Sequence, residues 1–380
     1  VASRQPRDAA VSGFVTRHRL KIAVILPRGT YFGPDKATAI DLCAYDFVRF
    51  SRYRDETVVV GEALDRPFAG VRFVGVPRRP GQSQASFSDA LAAAAASERP
   101  DVVVVHQHIP SARRIAGRFR DRPVLLHRHN NPKRPKGWLG RWLEARKYAP
   151  FAAIVLISAF TRDRLVALFP RLAGKAHVVH NGLDLGEWPA ADAKRRDILF
   201  VGRAVPEKGV LEAARAAVSA LAAAPGWRVR FILSGLDGNA AYAADVAEAL
   251  RPLGERAEIL RDLPHAAVRE AFREAAIALV PSRFEEPFGR TAIEAMAGGA
   301  ALICSLRGGL REIAEGVSLA IDPDDPASIA EAIARLIGDA ALRRRLADDG
   351  RKRVETAFAI ERSAARLDDI YDSVHKGTGA

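Results

Sequence analysis

At 380 residues the chain is too long for one ordinary core and suits two domains. Hydrophobic residues make up 48% and mean hydropathy is −0.05, and no run approaches the roughly 18 apolar residues that span a bilayer, which argues against a membrane-spanning helix. The formal charge of +13 is unevenly placed: residues 1–190 hold 31 Lys and Arg against 16 Asp and Glu, whereas residues 191–380 hold 27 against 29. The first half therefore expects an anionic partner, whether nucleic acid, membrane surface or acidic substrate. The basic first eighteen residues carry no secretory pattern. Cys43 and Cys304 give neither a disulfide framework nor a zinc spacing, so a reducing cytoplasm is the expected compartment.

In chain order, residues 20–26 read as a buried strand, followed by a loop carrying Gly29 and Gly33 and a helix from Ala37 to about Phe50. Strands at Thr57–Val60 and Val71–Val76 precede an Ala-rich helix over Ser88–Ser97. Asp101–His108 and Pro123–Asn130 are further apolar strands, each ending in histidines. Continuous Val/Ile/Leu strands alternating with helices imply a doubly wound parallel sheet. Ligands bind at the carboxyl ends of such strands, where His106, His108, His127 and His129 fall. No carboxylate or cysteine cluster accompanies them, so no metal site is expected.

Between Ser111 and Lys147 the chain carries twelve Lys and Arg against only Asp121 and Glu144. Within this stretch Trp138, Leu139, Trp142 and Leu143 fall on one helical face among Lys133, Arg134, Lys136 and Arg141. Such a face suits an anionic membrane interface, or else a solvated helix whose tryptophans pack on the domain. Phe151–Ser158 is the next strand, with Ser158 as N-cap of the following helix. The domain boundary is expected within Glu187–Arg196, dividing 1–188 from 189–359.

The second domain opens with a strand from Asp197, a glycine turn, and a helix from about Val210. Arg203 and Lys208 flank the turn and suit a diphosphate, one as a fork and the other as a point charge. Strand ends follow at Ser234-Gly235 and at Arg261–Leu263. The strand Ala276–Val280 runs through a Pro/Gly-marked loop into a helix from about Arg290 to Gly298-Gly299. Backbone N–H groups of Gly289, Arg290 and Thr291 then head a helix, a ready site for phosphate. Glu286 and Glu294 bracket the turn. Carboxylates beside a phosphate are better employed accepting hydrogen bonds from hydroxyls, which sugars and riboses supply. The combination describes a sugar-nucleotide site.

Glu286 and Glu294 are separated by seven residues, with Pro-Phe-Gly after the first and Glu-Ala-Met-Ala-Gly-Gly from the second. This resembles the E-x7-E signature of the retaining glycosyltransferases of glycosyltransferase family 4. Gly202-Arg203 with Lys208-Gly209, the run Pro123–Asn130, the segment Asn181–Asp184 and the segment ending Gly308-Gly309-Leu-Arg-Glu-Ile313 resemble other segments of that family. The resemblance covers nearly the whole chain. It implies a GT-B fold: an α/β architecture of two Rossmann-like domains facing across a cleft, with a final helix within 360–380 crossing back to the first domain. The implied activity is retaining hexosyl transfer from a GDP-, UDP- or ADP-linked sugar to a glycan or lipid-linked acceptor, such as a lipopolysaccharide core. The departing phosphate oxygen would take the acceptor proton on the same face.

By the same resemblance Glu286 positions the sugar, Glu294 the ribose, and His129 reaches an outer hydroxyl. Gly29 lies near the donor phosphates, Ser234 and Gly235 beneath the nucleotide, and Arg261 and Leu263 beside the base. Phe288, Gly289, Arg290 and Thr291 complete the donor site. Arg203 and Lys208 stabilise the diphosphate, so no cofactor or metal is expected. The protein would sit in the cytoplasm or peripherally on the inner face of the plasma membrane. Two rival readings are a sugar-nucleotide 2-epimerase, which needs no acceptor, and a non-enzymatic basic binder of nucleic acid or membrane. The latter leaves Arg203, Lys208, Glu286 and Glu294 unexplained, and nucleic acid is not the expected partner.

Overall fold

A computed structural model describes residues 19–189, 193–236 and 238–377, so the basic stretch 1–18 lies outside the described residues. The first sheet has seven parallel strands: β1 (Ile22–Ile25), β2 (Thr57–Glu62), β3 (Arg72–Val76), β4 (Val102–His106), β5 (Val124–Arg128), β6 (Ala153–Leu156) and β7 (Ala176–Val178). The second has six: β8 (Arg195–Arg203), β9 (Arg228–Ser234), β10 (Ala257–Arg261), β11 (Ala275–Val280), β12 (Ala301–Cys304) and β13 (Leu319–Ala320). Their orders are β3-β2-β1-β4-β5-β6-β7 and β10-β9-β8-β11-β12-β13. The central strands are buried along their whole length because helices cover both faces, which explains their unbroken Val/Ile/Leu runs.

Helices α1 (Ala39–Phe50), α2 (Gln84–Ser97), α3 (Ile109–Ala116), α4 (Gly137–Arg146) and α5 (Ala159–Leu168) accompany the first sheet. With the second come α6 (Val210–Leu221), α7 (Ala240–Leu250), α8 (His265–Glu274), α9 (Arg290–Ala297), α10 (Gly309–Ala314), α11 (Pro326–Gly338) and α12 (Ala340–Ala357). α2 begins four residues before the Ala-rich run suggested, because Ser83 accepts a hydrogen bond from the Ser86 N–H and caps it. Thr38 and Asp41 form a reciprocal capping box that starts α1.

The strand order reverses between β1 and β4 in one sheet and between β8 and β11 in the other. Those reversals open crevices at the carboxyl ends of the strands. His106 ends β4, Arg203 ends β8, and the Pro281–Gly289 loop follows β11, so the chemistry-bearing residues gather at both crevices. Trp188, just before the second sheet, already packs into the second domain's core.

The last helix, α13 (Ile360–Lys376), returns to the first domain. Ile360, Ala364, Leu367, Ile370 and Tyr371 join the core beneath β1 and β2, and Asp368 accepts hydrogen bonds from Ser51 Oγ (2.6 Å) and the Arg52 N–H (2.9 Å). The turn into α13 is tied down by Leu183 and Phe358: the Leu183 N–H donates to Phe358 O at 2.9 Å and the Ile360 N–H to Leu183 O at 3.0 Å. Gly182 permits that approach, since a Cβ there would lie 2.6 Å from Ile360 Cα. Gly182→Ala should therefore cost about 1–3 kcal/mol by overpacking and lower the melting temperature in calorimetry. An unchanged melting temperature would show that the junction has slack.

Candidate active site

A cleft of about 340 Å³ opens between the domains. Its lining combines α1, His129 and Asn130 from the first domain with Arg203, Lys208, Glu286 and the start of α9 from the second. The Pro281–Gly289 loop holds Glu286 almost fully buried, with Oε1 accepting from Lys208 Nζ at 2.5 Å and from Ser282 Oγ at 2.7 Å. Lys208 itself closes a short 3-10 turn, Pro206–Lys208, and Gly209 follows with φ +67°. A Cβ on Gly209 would lie 2.1 Å from Pro281 O, so only glycine lets the lysine turn pack against the glutamate loop.

Arg203 is different. It is exposed on the cleft wall and pairs with no carboxylate among the described residues. Gly235, with φ +70°, leaves room beside it: Arg203 Cγ is 4.0 Å from where a Cβ would sit. Arg203 thus presents a free fork of donors, while Lys208 presents a cation already neutralised by Glu286.

α9 begins at Arg290, and the N–H groups of Gly289, Arg290 and Thr291 head it at the cleft. The side chain of Arg290 turns elsewhere. It donates from Nε to Glu294 (2.8 Å), approaches Asp46 of α1 at 3.6 Å, and donates to Cys43 Sγ at 3.4 Å. Glu294 also faces His265 Nε2 at 3.2 Å. Burial works against the ionised Glu294 carboxylate, but the His265 hydrogen bond and the Arg290 charge outweigh it and hold its pKa below the usual value. Glu294 is therefore a committed anion, already engaged by two side chains.

These features decide what the chain is when set beside known proteins. Residues 188–353 match the family of glycosyl transferases group 1, and residues 45–187 match glycosyltransferase family 4. Over 298 residues the chain is 30% identical to a glycogen synthase of Mycobacterium tuberculosis, covering 74% of this chain and 70% of the relative. An alpha-maltose-1-phosphate synthase from the same organism is 30% identical over 318 residues, covering 71% and 79%. Among solved structures, Anabaena HepE in complex with UDP and glucose superposes with a TM-score of 0.76 over 93% of this chain and all of the other, at 17% identity. Sucrose-phosphate synthase from Thermosynechococcus elongatus gives 0.74 at 18% identity, covering 94% and 100%.

The chain belongs to glycosyltransferase family 4.

It is a glycosyltransferase of GT-B fold, and the remaining residues singled out in this family 4 sequence divide into those at the cleft and those outside it. Phe288 lines the cleft but is buried against His180 and Phe358, so it shapes the loop. Gly29, with φ +64°, is not part of the cleft lining; Ala39 and Ile40 of α1 take that place. Ser234 ends β9 and Gly235 follows it, both outside the cleft lining. Arg261 lines a separate hollow against α7, and Leu263 packs on the second core. The chain's one Asp-x-Asp spacing, Asp322-Pro-Asp324, lies after β13, with Asp324 paired to Arg283 and Arg307. Ile157 and His265 are cleft or network residues that no local spacing marks, and Asn181, which opens the family-like segment Asn181–Asp184, lines the cleft as well.

The histidines depart most from expectation. His106, His127 and His129 converge, their nearest ring atoms all within 4.8 Å, and form the one such group among the described residues whose ligand atoms are close enough for a metal ion. His108 does not join them; it caps α3 and faces Arg28. His129 stacks on both His106 and His127, which are tilted to each other by 41°; the centroids lie 4.6–5.1 Å apart, and His106 Nδ1 lies 3.0 Å from His129 Nε2. No carboxylate accompanies them, and His127 has no hydrogen-bond partner on either ring nitrogen. Burial drives the His106 pKa down to about 3 and holds His127 and His129 well below their ordinary value, helped by the mutual repulsion the rings would suffer if protonated and, for His129, by the Arg128 charge. All three are neutral at physiological pH.

Unfolding exposes these rings, which then take up protons below about pH 6.5. The unfolded chain binds more protons, so stability is complete above about pH 7 and is lost as pH falls. Each imidazole contributes about 1.4 kcal/mol per pH unit to that slope. Urea unfolding at pH 7, 6 and 5 should show the loss, and His127→Phe should flatten it by one proton's share. Stability that is level from pH 7 to 5 would contradict the neutral stack.

Proposed function

We propose that the protein moves a hexosyl group from a nucleoside diphosphate sugar to a glycan or lipid-linked acceptor with retention at the anomeric carbon. The observation that carries this reading is the cleft itself, where the unpaired Arg203, Lys208 and the start of α9 meet the buried Glu286. As the glycosidic bond to the diphosphate breaks, negative charge grows on the leaving oxygen. Arg203, Lys208 and the N–H groups of Gly289–Thr291 are fixed donors for that charge. Glu286, held by Lys208 and Ser282, accepts hydrogen bonds from sugar hydroxyls, and Glu294 does the same for the ribose once His265 yields. His129, neutral, offers its ring to an outer hydroxyl. The acceptor hydroxyl attacks from the face the diphosphate leaves, and the departing phosphate oxygen takes its proton.

Fixed cations and helix N–H groups perform the task a divalent metal would otherwise perform. The UDP bound by the solved neighbour favours UDP as the donor nucleotide. The basic first domain favours an acidic acceptor, as in cell-surface polysaccharide or lipopolysaccharide core assembly at the inner face of the plasma membrane.

Arg203→Ala should lower turnover by roughly two to three orders of magnitude, followed as nucleoside diphosphate release, with an unchanged melting temperature because Arg203 holds no ion pair. Near-normal turnover would remove the residue from the leaving-group site. Lys208→Ala is a less clean test, since it strands the buried Glu286 carboxylate and should also destabilise the fold. Transfer should also persist in excess EDTA. Strict dependence on added Mg²⁺ or Mn²⁺ would overturn the metal-free account.

A further inference from the structure

Beneath α4 lies a second cavity of about 520 Å³ that the transfer chemistry does not use. Its lining includes Arg113, Arg128, Lys133, Arg134 and Lys147, with Glu144 as the one carboxylate. Glu144 is spoken for by Lys147 Nζ at 2.5 Å. Arg113, Lys133 and Arg134 form no ion pair among the described residues. Arg128 is nine-tenths buried, its Nε has no partner among the described residues, and its one side-chain hydrogen bond among them is a long 3.5 Å contact from a terminal nitrogen to Gln107 O. A buried guanidinium without a carboxylate is costly unless an anion completes it. Such forks match phosphate oxygens.

The roof of this cavity is unusual in the opposite sense. None of the ten residues of α4 is buried. Trp138 (75% exposed), Leu139, Trp142 and Leu143 are the large hydrophobics left exposed among the described residues, and all four belong to this one helix. They sit at i, i+1, i+4 and i+5, so they share a face. Arg146 lies over the Trp142 ring at 4.5 Å, and Lys136 and Arg141 are exposed beside them. An apolar patch on a helix rimmed by cations matches an anionic lipid interface, where rings and leucines enter the acyl boundary and cations stay at headgroup level. Nucleic acid would use the cations but leave the apolar face in water.

We infer that the cavity holds the phosphate of a lipid headgroup while the Trp138–Leu143 face of α4 lies in the membrane interface. Asn130 lines both this cavity and the catalytic cleft, so a headgroup phosphate seated here delivers the adjoining part of the lipid to the reacting end. That consequence rests on the proposed sugar transfer; the docking itself does not.

Flotation of the full chain with phosphatidylglycerol or phosphatidylcholine vesicles at low salt tests the inference. Trp188 and Trp227 are buried, so a blue shift of tryptophan emission on vesicle addition reports α4. Wild-type protein should bind the anionic vesicles at least about tenfold more tightly than the neutral ones, with a blue shift, and release them in salt. Arg113→Ser with Arg134→Ser, and separately Trp138→Ser with Trp142→Ser, should each weaken that binding by about tenfold or more. Calorimetric titration with UDP, GDP and ADP runs alongside, and both double variants should keep the wild-type nucleotide affinity. Nucleotide binding without anionic-vesicle binding overturns the inference, as does a cavity variant that floats like wild type. An oligonucleotide that binds through the same arginines while vesicles are ignored also overturns it. Vesicle binding with no nucleotide binding would instead overturn the donor-site reading and leave the docking site standing.

Discussion

Arg290 sets the constraint on which the cleft depends. A guanidinium buried between two domains must be matched by charge on both sides, because an unpaired buried ion is strongly destabilising. Glu294 answers it from the same helix and Asp46 from the other domain. Cys43, whose thiol burial pushes up to about 11, adds a neutral acceptor. The start of α9 is thereby fixed to α1. Because α9 also presents its N–H groups to the cleft, the same ion network that joins the domains orients the proposed phosphate cradle.

A second set of contacts fixes the opposite edge. Glu312 of α10 accepts from the Ala159 N–H (2.8 Å) at the head of α5 and also contacts His180. Ser158 Oγ donates to Pro287 O at 2.5 Å, and Asn131 Nδ2 donates to Glu285 O at 2.7 Å. The loop carrying Glu286 is thus held from the first domain on one side. On the other it rests against Gly308 and Gly309, where a Cβ would lie 2.5 Å from Glu286 O or 2.7 Å from Pro287 O. The glycine pair at the start of α10 is therefore a close-approach device: it lets two loops meet at backbone distance so that the Glu286 side chain points inward.

The parallel strands were legible before the structure in their unbroken apolar runs. The close spacing of Arg203 with Lys208 and of Glu286 with Glu294 marked residues that the structure places at or beside one cleft, because each of those signals is local in sequence. What spacing cannot carry is a partner far along the chain. The sequence marks Arg290 only by its backbone N–H at a helix start, since its partners Asp46 and Cys43 are more than 240 residues away. The sequence places His106 and His127 at the carboxyl ends of two strands, but only the β4–β5 register shows that they lie side by side. Helical spacing showed that Trp138 and Trp142 share a face but not which way it looks. The structure turns it to solvent, against the reading in which those rings pack on the domain.

The charge asymmetry also acquires a physical meaning. Many cations of the second domain are matched: Arg230 by Asp197 and Glu274, Arg283 by Glu212 and Asp324, Arg307 by Asp322 and Asp324. Arg203 is instead unpaired among the described residues and faces the cleft, and a free fork placed there suits a short-range, specific anion such as the proposed diphosphate. In the first domain Arg113, Lys133, Arg134, Lys136 and Arg141, around α4, form no ion pair among the described residues, and few carboxylates occur in that stretch. Charges left unpaired in water cost little individually and sum to a field that reaches about a Debye length. On the proposed function, the second half recognises a small anion by contact and the first half attracts an extended one, and the cleft lies where the two meet.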